Sequence, residues 1–173
     1  MKKRTIQLTM WGAMTAMALA LTVVENMLLP PGLFPVPGFR LGLSNIVILI
    51  AVYLFGAGPS IAIVFLRTTA VFAFGGNITA FLFSLAGGSL AVFVMLALRR
   101  TRFFSLFGVS AGGAAAHSAG QILAAALLTG SARIIIYLPF LMWASIAAGL
   151  LIALISVPVY RAIETFIRAP GNN

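Results

Sequence analysis

The chain has no aspartate and no cysteine, a single histidine, His117, and only two carboxylates, Glu25 and Glu164. Each shortage removes a chemistry. Without cysteine there are no disulfides, thiolate metal sites or thiol nucleophiles. One histidine and two glutamates make no credible ligand set for a metal. The paired aspartates that hold magnesium in many phosphoryl and prenyl transferases cannot be built. The only lysines are Lys2 and Lys3, so there is no phosphate-binding loop of the GxxxxGK[ST] type. A serine triad would need His117, a serine and a carboxylate, and neither glutamate is suitably placed. The expectation is a protein that is not an enzyme and carries no cofactor; any catalysis or ATP hydrolysis belongs to a partner.

What is present is apolar. Of 173 residues 62% are hydrophobic and 8% charged, with a mean hydropathy of +1.14, whereas soluble domains carry about 25% charged residues. This is the composition of an all-α integral membrane protein, one domain over 1–173. The net charge of +9 is spread over short segments between apolar runs, where Lys and Arg orient helices in a bilayer, so nucleic acid is not an expected partner. The first apolar run follows Met1-Lys2-Lys3-Arg4. At about 23 residues it exceeds the 7 to 15 of a cleaved signal core and reads as a retained helix.

At about 20 apolar residues per crossing the chain divides into six segments, 6–28, 42–57, 59–74, 78–98, 105–129 and 136–158. The second and third are separated by Gly56-Ala57-Gly58-Pro59, a turn signal favouring two antiparallel helices over one kinked helix. Six crossings with the N-terminus inside put Lys2, Lys3, Arg4, Arg99, Arg100, Arg102, Arg161 and Arg168 in the cytoplasm, against Arg40 and Arg133 outside. That asymmetry predicts both ends inside, in the cytoplasmic membrane of a prokaryote.

Arg67 lies in the middle of the third segment, and a cation at that depth usually faces a bundle interior and marks a site or pathway. His117 and Gln121 share one line of the fifth segment with Gly113, either bonded to a neighbouring helix or lining a polar cavity. Towards the outside lie Glu25, Arg40, Asn45, Asn77 and Arg133. Glu25 could pair with Arg40 or Arg67, which would satisfy the charges without a ligand. The surplus of guanidinium over carboxylate favours an anionic ligand. Candidate binding residues are therefore Arg40, Asn45, Arg67, Asn77, His117 and Gln121. Between the first two segments, Pro30 to Arg40 holds four prolines and reads as a semi-rigid extended connection, either a plain loop or a cap on a site mouth. Small residues recur every fourth position at Gly12, Ala16 and Ala20, and again at Gly108, Gly112, Ala116 and Gly120, giving faces for close helix approach. The second series reads as packing within the bundle; the first fits that or contact with another chain.

Four pieces taken in order resemble the Gx transporter family, also labelled heptaprenyl diphosphate synthase component I. They are Pro37-Gly38-Phe39-Arg40-Leu41-Gly42-Leu43-Ser44-Asn45-Ile46, Leu54-Phe55-Gly56, Gly76-Asn77 leading to Ser84-Leu85-Ala86-Gly87-Gly88, and Ala116-His117-Ser118-Ala119-Gly120-Gln121. That family is similar to the six-helix substrate-binding S components of energy-coupling factor transporters. The resemblance implies that Gly12, Ala16 and Ala20 dock on a transmembrane coupling subunit, and that the loop with Pro30, Phe34 and Pro37 gates a site near the outer face. It also implies that separate ATPases supply the energy for uptake of a small molecule. The synthase label implies the alternative, a non-catalytic membrane partner of a prenyl diphosphate synthase catalytic subunit, contacted through Arg99, Arg100 and Arg102.

Overall fold

Gly56, with φ of +78°, ends one helix and begins the next, and the chain turns back there. This backbone region is open to glycine and strained for other residues. The two-helix reading of the segments around it therefore holds. In the computed structural model, which describes residues 2–29 and 42–168, the elements are α1 (Lys2–Leu28), α2 (Asn45–Phe55), α3 (Ala57–Ala73), α4 (Ile78–Thr101), α5 (Leu106–Thr129), a 3-10 turn (Ala132–Tyr137) and α6 (Leu138–Arg168). Among the described residues there are no strands. Four helical stretches, Thr5–Leu28, Ile78–Thr101, Leu106–Thr129 and Ala132–Thr165, are long and apolar enough to cross a membrane. The protein is thus a multi-pass membrane protein.

α2 and α3 are shorter. At 1.5 Å per residue, the 11 residues of α2 rise about 17 Å, little more than half of a 30 Å hydrocarbon layer. α2 makes up for its length by position. Every residue from Asn45 to Val52 is buried, because the helix runs through the middle of the bundle. Ile46, Val47, Ile50 and Ala51 pack with Met14 and Ala18 of α1, Ile63 of α3 and Ile152 of α6. Ile48, Leu49 and Val52 pack instead with Val64 of α3, Val92 and Met95 of α4 and Val109 of α5. A helix apolar on all sides belongs in such an interior.

α6 runs ten residues past Pro158, where the sequence suggested a stop. Membrane helices tolerate an internal proline because neighbours satisfy the freed backbone groups. The extension is also useful: Val159, Tyr160 and Ile163 pack onto the first core cluster, and Tyr160 meets Tyr53 edge-on at 5.6 Å. The α5 series at Gly112 and Gly120 packs within the bundle. A Cβ on Gly120 would stand 2.8 Å from the Ala86 carbonyl and 2.9 Å from the Gly87 Cα, so α4 and α5 touch backbone to backbone. The α1 series does the opposite: Gly12, Ala16 and Ala20 are exposed, with nothing within 4 Å of a Cβ placed on Gly12.

Candidate functional site

Three helices meet around Arg67. One turn apart on α1 stand Thr22 and Glu25, both buried. The Glu25 carboxylate accepts from the backbone N–H of Gly42 (2.7 Å) and of Leu43 (2.9 Å), fixing the turn that leads into α2. Gly42 can offer its N–H this way because its φ is +76°, a region closed to most side chains. Two residues on, Ser44 accepts from Arg67 Nη1 at 2.5 Å, and Thr22 accepts from the same nitrogen at 3.1 Å. The guanidinium, only 3% exposed, thereby joins α1, the entry to α2, and α3. Glu25 serves the backbone while Arg67 serves two hydroxyls, so the pairing considered between them in the sequence gives way to a division of labour. Backbone N–H groups suit a carboxylate, and hydroxyl oxygens accept readily from a guanidinium.

Arg67 also forms part of the wall of a narrow cleft that is partly open to the outside. Thr22, Arg67, Thr68 and Ser84 supply its polar atoms, Val71 and Ala80 its sides, and Phe72, Gly76, Asn77 and Phe81 complete the lining. The last turn of α3 and the first of α4 are tied together there by the Phe72 and Phe81 rings, with centroids 5.5 Å apart. The ten described residues that line the cleft include one cation and no carboxylate. Asn77 has a structural duty as well: its side-chain oxygen caps α4 by accepting from Ala80 N at 2.6 Å.

Of the residues singled out in the sequence, Arg67 and Asn77 come together in this cleft. Asn45, His117 and Gln121 are buried but stand elsewhere. Asn45 lies in the first turn of α2, near Gly42. His117 and Gln121 lie across α4 from Arg67. A Cβ added to Gly87 would approach His117 Cε1 to 3.3 Å, and one added to Gly88 would approach Arg67 Nη2 to 3.6 Å. Two consecutive glycines therefore let an imidazole and a guanidinium press on neighbouring faces of one helix. Gln121 Nε2 and Asn45 Oδ1 are buried without a hydrogen-bond partner among the described residues. Arg40 and the gate residues Pro30, Phe34 and Pro37 lie outside the described residues. No group of three His, Asp or Glu side chains that could hold a metal is present among the described residues.

Thr22, Ser44, Thr68, Ser84, Phe72 and Phe81 went unnoticed as site residues in the sequence. Thr22 carried a signal in retrospect, since its spacing of three from Glu25 puts both on one face of α1. Ser44 and Ser84 sit inside the motifs quoted above. The two phenylalanines gave no signal among 14 in the chain.

Neither a curated protein nor a solved structure matches the chain. A family model does match, that of heptaprenyl diphosphate synthase component I, over residues 14–158. That span takes in all of α2 to α5 and most of α1 and α6, including every cleft residue. The chain belongs to the heptaprenyl diphosphate synthase component I family.

Proposed function

We propose that this protein is a substrate-capture subunit, S-component-like, of an importer driven by ATPases on separate chains. The observation that carries the reading is the Arg67 cleft. A buried guanidinium held by hydroxyls from two other segments, on the wall of a narrow cleft, supports recognition of a small anion, for which guanidinium is shaped. The aromatic and aliphatic remainder of the lining suits an apolar part of the same molecule, so the favoured ligand is a small amphipathic carboxylate or phosphate. In this reading the six helices all pass between the two faces with both ends in the cytoplasm of a prokaryotic cell. The cleft then opens outward, and the 30–37 loop gates it. Asn77 shares the cleft with Arg67, and in this reading Arg40 joins the site from the loop, while Asn45, His117 and Gln121 stand outside the cleft.

The exposed small face at Gly12, Ala16 and Ala20 supports docking on a coupling subunit, because close helix approach needs such a surface. Replacing Ala16 and Ala20 by leucine should abolish complex formation and spare ligand binding; a complex that survives the change removes the docking assignment. For the site itself, Arg67→Ala should lower affinity for the retained anion by at least about tenfold, the scale of one lost charged hydrogen bond. Unchanged affinity in the folded fraction would sink the reading.

The family description favours a second reading, a non-catalytic membrane partner of a heptaprenyl diphosphate synthase. Having no aspartate, the chain would leave elongation chemistry to the other subunit. Gentle purification followed by mass spectrometry of retained small molecules and co-purifying chains separates the two. A retained anion with ATPases supports capture, whereas a synthase subunit without solute supports the partner role.

A further inference from the structure

Three arginines crowd the end of α4, and the structure gives them different work. Arg99 turns inward: its guanidinium donates to the Val52 carbonyl near the end of α2 and lies over the Tyr53 ring, 5.0 Å from the centroid. Arg100 and Arg102 are exposed, and neither guanidinium is hydrogen-bonded to another described residue. Next to them Phe103 is 89% exposed and Phe104 46%, the two rings in edge contact at 5.9 Å. Arg102 takes the left-handed backbone conformation, φ +56°, the one non-glycine among the described residues to do so. It closes α4 and starts the four-residue turn to α5.

The depth of this turn follows from its neighbours. α4 and α5 each have 24 residues, about 36 Å of helix, slightly more than the hydrocarbon thickness of about 30 Å. Their shared end therefore emerges at the headgroup layer. Exposed phenylalanines flank the turn as well as occupy it: Phe93 of α4 and Phe107 of α5 on either side, Phe103 and Phe104 between them. No carboxylate lies between Glu25, at the far end of α1, and Glu164.

We propose that the α4–α5 turn is a binding site for anionic phospholipid headgroups. Arg100 and Arg102 take the phosphate charge, for which guanidinium is shaped, while Phe103 and Phe104 insert at the boundary of headgroups and acyl chains, as apolar side chains beside basic ones do. Basic residues beside a membrane helix gain from anionic lipid within a Debye length of the surface. A soluble protein partner would match the charges, but it would not account for exposed phenylalanine rings at the level where helices of this length leave the hydrocarbon.

The test uses the full chain reconstituted in vesicles, with Trp11 and Trp143 replaced by phenylalanine and Phe103→Trp as reporter. Quenching by brominated phosphatidylglycerol is compared with quenching by brominated phosphatidylcholine. The expected result is preferential quenching by the anionic lipid, about fivefold in local enrichment for each arginine. It should be lost in Arg100→Gln/Arg102→Gln and kept in Arg133→Gln, an exposed cation on the α5–α6 connection at the far end of α5. Equal quenching by the two lipids, or a preference that survives the double substitution, overturns the site. So does a preference lost equally in Arg133→Gln, which would make it an effect of net charge. A co-purifying protein that shields the reporter from both lipids, and leaves with Arg100 and Arg102, would assign the turn to a protein partner instead.

Discussion

The two halves of the bundle are held together by different means. α4, α5 and α6 meet through absent or very small side chains. A Cβ on Gly87 would strike the His117 carbonyl at 2.8 Å, and one on Gly149 of α6 would lie 2.8 Å from the Ala111 Cα. Between α5 and α6, Ser110 donates to the Gly149 carbonyl at 2.7 Å and Ser118 bonds Ser145 at 2.5 Å. α1, the entry to α2, and α3 are joined instead by a carboxylate on two backbone N–H groups and a guanidinium on two hydroxyls. Lipid provides no hydrophobic drive for helices to associate, so close backbone packing and interhelical hydrogen bonds have to do it. The glycine-built half gains its contacts over long stretches of backbone and has little room to adjust. The other half adds to the apolar packing of Met14, Ala18, Ile46 and Ile63 a few polar side chains at one end, among them Thr22, Arg67 and Thr68 of the cleft.

Substitutions can break or sharpen that contrast. Gly120→Val puts a branched side chain against the backbone of α4 and should cost about 3 kcal/mol or more, read as lost unfolding free energy in mild detergent. The same change at Gly12, where the space is open, should stay within about 0.5 kcal/mol. Equal losses at the two positions would erase the distinction between a packed and an open small-residue face. In the polar half, Glu25→Gln replaces a charged acceptor with an amide and should cost about 2 kcal/mol. Hydrogen exchange would show that loss as lower protection at Gly42 and Leu43, with α5 and α6 unaffected. Smallest is Ser145→Ala: one interhelical bond in a membrane protein averages about 0.6 kcal/mol, and a loss of several times that would mean Ser118 and Ser145 matter more than the glycine contacts around them.

Much of the fold was legible because apolar runs and punctuation are local. The six segments read from hydropathy agree with the observed helices to within three residues at nearly every end. The exceptions are the start of α1, four residues earlier than expected, and the far end of α6, where the expected segment ended at 158 and packing of Tyr160 and Ile163 carried the helix on. Hydropathy showed the second segment to be short but did not reveal that α2 runs through the centre of the bundle, because a run buried among protein neighbours and one facing lipid are equally apolar. The site was only partly legible. Arg67 stood out by the cost of its position, but the hydroxyls that hold it are ordinary residues whose meaning depends on neighbours 23 and 45 positions away. His117 and Gln121 shared a line with each other as expected, yet their line meets Gly87 of α4 rather than the cleft.

The sequence by itself determined the solvent this protein lives in, the helical class, the turn at Gly56 and the chemistries it lacks, since composition and backbone preference act residue by residue. Only the tertiary structure decided which groups compensate which charges. Glu25 went to the Gly42–Leu43 backbone and Arg67 to Thr22 and Ser44, because partners for a buried charge are set by which helix ends are brought within hydrogen-bond reach of one another.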